Sequence, residues 1–204
     1  MKKVLKKISR GFIIVVLNIV FRTVYRMKVV GTENIPKEGA LIFCGNHKTY
    51  LDPPAITVTN GRKMSFMAKE QLKENWLFAF LGWAFEAIYV KRDSKDIGPL
   101  KQALTILKSG DCLGIFPEGT RNKTKEFLLP FKFGTVSMAS KTDATIVPFG
   151  VTGEYKFRSK DLVIRFGEPF KIGDMTLEEA NEKLRNEVGK LMQKNLKEQK
   201  KLNK

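Results

Sequence analysis

A single α/β domain, built on a mixed, largely parallel sheet flanked by helices, is the fold this sequence predicts, on two observations. Short apolar runs recur at residues 27–30, 40–44, 65–68, 87–90, 112–116, 145–151 and 162–166, each of a length that suits a buried strand. Helical patterns fall between several of them, at 54–59, 69–81, 97–108 and 133–140, and that alternation argues for crossover helices covering both faces of the sheet. The 204 residues contain no repeat, low-complexity block or long linker, and suit one domain with a sizeable core.

Taken in order, the chain begins with a segment of different texture. The first 32 residues hold no acid, whereas Lys2, Lys3, Lys6, Lys7, Arg10, Arg22, Arg26 and Lys28 are basic, and an apolar run of Gly11 to Phe21, interrupted only by Asn18, lies between Arg10 and Arg22. As a helix those residues reach roughly 17 Å against a hydrocarbon core of roughly 30 Å, too short for a simple crossing. The basic start fits a signal peptide, yet Arg22-Thr23-Val24-Tyr25-Arg26 offers no small-residue cleavage site. Residues 1–26 are therefore expected to form an amphipathic membrane-surface helix or helix pair, ahead of a domain at 27–204. A core helix with a solvated basic end is the alternative. Residues 177–200 close the chain as a packing helix, with Leu177, Leu184, Val188 and Leu191 on one stripe.

Charge narrows the partners. With 37 Lys+Arg against 21 Asp+Glu the net charge is +16, which implies an anionic partner: nucleic acid, a membrane surface, or an acidic protein or substrate. The sequence carries no helix-turn-helix, zinc-finger or RNP signature, so nucleic acid is not expected. The two cysteines, Cys44 and Cys112, lie in apolar runs and read as buried thiols, and a single histidine leaves no metal-ligand cluster of a familiar spacing.

That histidine, His47, opens the chemistry. It stands just after the strand-like run 40–44, and Asp52 follows it by five residues, before Pro53 and Pro54. On one helix residues five apart would lie about 140° apart around the axis and would not meet. A strand end, a turn and a helix start, with Asp52 as N-cap and Pro53 as first helical residue, would bring the carboxylate to one ring nitrogen and leave the other to take a proton. The same residues also suit a buried structural histidine beside a helix-capping aspartate. A second loop, Phe116-Pro117-Glu118-Gly119-Thr120-Arg121, leaves another strand end; Gly119 permits close approach of backbone to a ligand, and Arg121 offers a planar fork for a phosphate. Lys91 and Arg92 end a third run, and Val147-Pro148-Phe149-Gly150 is a proline-broken strand at which the sheet is expected to end or bend.

Asn46-His47 with Asp52, then Lys91-Arg92, then Phe116 to Arg121, then Ile146-Val147-Pro148, in this order, resemble the four blocks of the glycerolipid acyltransferases, and among them the bacterial enzymes that acylate lysophosphatidic acid. The likeness runs over residues 29–167, with Tyr89-Val90-Lys91-Arg92 the loosest match to its block. The resemblance implies transfer of a fatty acyl group from a thioester, carried on acyl carrier protein or coenzyme A, to the sn-2 hydroxyl of lysophosphatidic acid, giving phosphatidic acid. Glycerol 3-phosphate or another lysophospholipid is the alternative acceptor, and a non-catalytic basic lipid-binding or nucleic-acid-binding protein is the alternative of a different class. His47 would be the general base and Asp52 its orienter; Arg121, with Arg92, Lys91 and Lys69, would hold the phosphate; Glu118, Gly119 and Thr120 would shape the pocket. No metal or further cofactor is implied, since a thioester is already activated. The expected setting is the cytoplasmic face of the cell membrane, in a peripheral or monotopic manner. Phe78, Trp83 and Phe85 are candidates for the lining of an acyl tunnel.

Overall fold

All seven apolar runs become strands: β1 (Lys28–Val30), β2 (Leu41–Gly45), β3 (Met64–Lys69), β4 (Ile88–Val90), β5 (Cys112–Ile115), β6 (Thr145–Thr152) and β7 (Val163–Phe166). The structure is a computed structural model and describes residues 2–91 and 96–202. The strands form one sheet in the order β1-β7-β6-β2-β5-β3-β4. Each neighbouring pair is parallel except β6 with β7. Strand β2 lies between β5 and β6 with all five residues buried, so the segment leading to His47 is the centre of the sheet.

Side chains of β2 alternate between two cores, as the pleat requires. Ile42 and Cys44 join the cluster made with helices α4 (Gly98–Lys108), α5 (Gly134–Thr142) and α6 (Leu177–Leu202). Leu41 and Phe43 join the cluster on the other face, which includes Ala55 and Ile56 of helix α2 (Asp52–Thr59) and Phe21. Helix α6 buries Ala180, Leu184, Val188, Met192 and Asn195, a stripe at helical spacing. Arg165 of β7 is buried beneath it, and its guanidinium is satisfied by Asn195 Oδ1 at 2.7 Å and by the Glu198 carboxylate. Both cysteines are free and buried; desolvation pushes the Cys44 thiol up to about 12 and the Cys112 thiol to about 11.

The N-terminal segment is one helix, α1 (Lys2–Ile19), prolonged by a π-helical turn at Val20–Val24. Its Val4, Leu5, Ile8, Phe12, Val15, Val16 and Ile19 form an exposed apolar stripe, while Ile14, Leu17 and Phe21 turn inward against the core. The extra residue per turn of the π segment carries Phe21 round to full burial. Among the described residues no helix is long and apolar enough to cross a membrane.

Three local expectations are corrected. Residues 69–81 are not one helix: Lys69 ends β3, a 3-10 turn covers Glu70–Glu74, and helix α3 is Trp76–Ala84. Asn75 causes the break, because its extended backbone interrupts the winding and its Oδ1 accepts from Leu77 N at 3.0 Å and Phe78 N at 3.3 Å. Asp52 is not the N-cap of α2 but its first residue, after Leu51, and its carboxylate turns back to the preceding loop. Nor does the sheet end at Pro148, since β6 runs through it. Pro148 directs its backbone toward β7, where its carbonyl accepts from Gly167 N at 2.8 Å just beyond the end of that strand, so the proline stands where this pairing runs out.

Candidate active site

The parallel strands β3, β5, β6 and β2 release their loops at one edge of the sheet, the C-terminal edge, and the candidate residues gather there. Strand β2 is locked at its exit by Asn46, whose amide continues the ladder onto β6: Nδ2 donates to Val151 O at 2.9 Å and Oδ1 accepts from Val151 N at 2.7 Å. Gly45 just before it has to be glycine, because a Cβ would lie 2.3 Å from Phe149 O. The chain then turns, and His47 Nδ1 meets Asp52 Oδ2 at 2.9 Å. The same oxygen accepts from the Lys48 N–H at 2.6 Å and the Thr49 N–H at 2.7 Å, while Oδ1 accepts from the Tyr155 hydroxyl at 2.9 Å. Asp52 is wholly buried, so these donors take the place of water around its charge. A carboxylate at Nδ1 selects the Nδ1–H tautomer and makes Nε2 the nitrogen able to exchange a proton. The imidazole lies on the Phe116 ring, with centroids 4.0 Å apart and planes 18° apart.

The second loop is clamped to the first. Glu118, 4% exposed, accepts from His47 N at 2.8 Å through Oε1 and from Leu129 N at 3.0 Å through Oε2, and Asn122 N donates to His47 O at 2.7 Å. Burial pushes the Glu118 carboxyl above its ordinary value, against the pull of those two N–H donors. Its role is thus to fasten backbone behind the site. Gly119 has φ +67°, which permits the sharp turn after Glu118 and brings its backbone beside the Lys132 side chain.

In front of these loops opens a cavity of about 550 Å³, in the size range of small-molecule sites. His47, Gly119, Thr120, Arg121 and Lys69 line it, together with Phe66, Phe78, Leu81, Phe85 and Met138. The lining thus combines cations with mainly apolar side chains. Arg121 lies over the Tyr50 ring at 3.7 Å and donates to the Tyr50 hydroxyl at 3.0 Å, which holds the guanidinium in place. Phe78 and Phe85 line the cavity as expected, but Trp83 does not: it is 41% exposed and borders an adjoining groove with Lys6 and Lys73, and Tyr89 lines both. Lys91 is exposed and does not line the cavity, and Arg92 lies outside the described residues.

Two residues of the site escaped the sequence reading. Lys132 lines the cavity and its N–H donates to Pro117 O at 2.8 Å, fixing it beside the second loop. Its signal was a lone cation within the apolar stretch 127–134, just before a helix. Tyr155, three residues beyond β6, gave none; its contact with Asp52 spans 103 residues.

Comparison with known proteins is consistent with this geometry. A family model described as "Acyltransferase" matches residues 26–152, which is more than half of the chain and takes in both loops. The 1-acyl-sn-glycerol-3-phosphate acyltransferase of Borreliella burgdorferi is 31% identical over 141 residues, covering 68% of this chain and 56% of that protein. The protein of the same name from Bacillus subtilis is 29% identical over 166 residues, 78% of this chain and 80% of its own length. In fold, the crystal structure of the 1-acyl-sn-glycerophosphate (LPA) acyltransferase from Thermotoga maritima matches with a TM-score of 0.75 at 24% identity, over 95% of this chain and 82% of that one.

Proposed function

Because this chain belongs to the acyltransferase family, we propose that it transfers a fatty acyl group from an acyl thioester to the sn-2 hydroxyl of lysophosphatidic acid, forming phosphatidic acid. The observation that carries the proposal is the His47–Asp52 pair at a cavity lined by cations and by mainly apolar side chains. Such a cavity suits a substrate with a phosphate at one end and a hydrocarbon chain at the other, and the curated relatives bear the name of that activity.

His47 Nε2 takes the proton of the acceptor hydroxyl as its oxygen attacks the thioester carbonyl. Asp52 holds the Nδ1–H and steadies the imidazolium that forms. The tetrahedral intermediate then expels the thiolate, which takes the proton back from Nε2, so the imidazole ends neutral. Help of this kind is worth about 10²- to 10⁴-fold. Arg121, Lys69 and Lys132 face the acceptor phosphate, with Arg121 supplying the planar fork. Phe66, Phe78, Leu81 and Phe85 cover the acyl chain. The donor is acyl-acyl carrier protein or acyl-coenzyme A. Residues 1–26 serve as an interfacial anchor at the cytoplasmic face of the membrane, with the exposed stripe of α1 in the acyl region and the lysines among anionic headgroups.

The test is a transfer assay with purified protein in liposomes, offering acyl-acyl carrier protein and acyl-coenzyme A against lysophosphatidic acid and glycerol 3-phosphate, with His47→Ala alongside. Phosphatidic acid formed by the wild type alone supports the reaction and the base. Product from glycerol 3-phosphate alone moves the chain to the first acylation, and activity retained in His47→Ala removes the base assignment.

A further inference from the structure

Among the described residues, oxygen Oδ1 of Asp52 has one hydrogen-bond partner, the hydroxyl of Tyr155, and Tyr155 in turn is held by rings of the N-terminal segment. We infer that Tyr155 is a positioning residue for the His47–Asp52 pair, and that through it the seating of residues 20–25 on the domain sets the orientation of the catalytic carboxylate. This rests on the reading of His47 as base and Asp52 as its orienter.

The geometry forms a continuous path. The Tyr155 ring meets Phe21 edge-on at 6.0 Å and Tyr25 edge-on at 5.8 Å, and those two rings lie 5.8 Å from each other. Phe21 is buried because of the π-helical turn. The backbone is joined to the same loop, since Arg158 N donates to Val24 O, and Lys28 N to Leu162 O at 2.9 Å. On the far side, Asp52 Oδ2 is fully occupied by His47, Lys48 and Thr49, all within the loop the carboxylate must orient. A carboxylate fixed by one oxygen only can pivot about that oxygen; the Tyr155 hydroxyl on Oδ1 removes the pivot. Asp52 is 0% exposed, so water cannot replace that donor, and loss of the hydroxyl leaves a buried charged oxygen unpaired. The phenol is suited to donate, since burial and the adjacent Asp52 charge push its ionisation well above the ordinary value. Substrate contact has no part in this role, for Tyr155 does not line the cavity.

The experiment uses the full chain in liposomes. Tyr155→Phe keeps every ring contact and removes only the hydroxyl, and Tyr25→Leu loosens the N-terminal segment, with Tyr25→Phe as its matched control. Expected for Tyr155→Phe is a kcat about tenfold lower with both KM values unchanged, and a melting temperature lower by several degrees because the buried carboxylate oxygen loses its donor. In detergent micelles the hydrogen-bonded Nδ1 proton of His47, easily assigned because the chain has a single histidine, shifts in its NMR resonance. Tyr25→Leu lowers kcat severalfold in the wild type and adds nothing in the Tyr155→Phe background, a coupling read from the double-mutant cycle. A Tyr155→Phe enzyme with wild-type kcat and an unmoved His47 resonance overturns the positioning role, and additive losses overturn the link to the N-terminal segment. His47→Ala in the same assay separates the cases: if it stays active, the general-base reading itself has failed.

Discussion

Phe116 lies face to face with His47, 4.0 Å between ring centroids, and reaches it from the strand next to the one that carries the histidine. The contact restrains rotation of the imidazole about its own bond while Asp52 restrains its tilt. Such stacking is worth about 0.5–1.5 kcal/mol beyond area, so Phe116→Leu should lower kcat up to roughly tenfold. Steady-state kinetics with unchanged KM for the acceptor is the expected pattern; an unaltered kcat would remove the stacking from the mechanism.

Glu118 makes stability depend on pH in a predictable sense. Burial raises its carboxyl above the ordinary value near 4.5, so in the interval between the two the unfolded chain has lost a proton that the folded chain keeps. Unfolding there releases a proton, and stability falls as pH rises through that interval, then levels off. Glu118→Gln removes the titration, so the melting temperature of the wild type relative to the variant should decline as pH rises from about 4. The variant also presents an NH₂ to one of two backbone N–H donors, and should be destabilised by about 1–3 kcal/mol at low pH, where the wild-type carboxyl is neutral. A flat difference between the two melting curves would contradict this account.

Arg121 and Lys132 line the cavity from the two ends of one loop segment, where the proposed reaction places the acceptor phosphate. Removing the guanidinium in Arg121→Ala should raise KM for lysophosphatidic acid by tenfold or more, with less effect on the donor, because a charge-assisted bidentate contact is worth about 1.5–3 kcal/mol. Lys132→Ala should act in the same direction and less strongly, having a point charge in place of a fork. If either variant changes only the donor's KM, that cation belongs to the thioester side.

The exposed apolar side chains of α1 and α3 predict how the enzyme meets lipid. Phe12 is 70% exposed and Trp76 78% exposed, and each would contribute about 1.5–3 kcal/mol if buried in the acyl boundary. Phe12→Glu and Trp76→Glu should each weaken binding to anionic vesicles roughly tenfold in a sedimentation assay. Weakening by Phe12→Glu alone would confine the contact to the N-terminal helix.

Every strand could be read from the sequence because each is a short apolar run of fitting length, and the loops bearing His47 and Arg121 could be located because they follow such runs. The order of strands could not, since β7 lies between β1 and β6 through pairings that no local pattern encodes. Asn75 shows the same limit at short range: its neighbours favour a helix, and one side-chain oxygen that caps the next helix divides the segment. Glu118 was legible as a site residue but not as a clamp, because its partners, His47 and Leu129, are revealed only when two strand ends are adjacent. Tyr155 depends on the meeting of three distant segments.

The central strand β2 finds its two neighbours only in Cys112–Ile115 and Thr145–Thr152, far along the chain. During synthesis the middle of the sheet therefore waits, unpaired on both edges, until most of the protein has left the ribosome. Helix α1, whose hydrogen bonds are all local, can form long before that. If α1 is the anchor proposed above, the nascent chain presents it to a bilayer before the active site exists, and the rest of the fold is completed with that helix already in place.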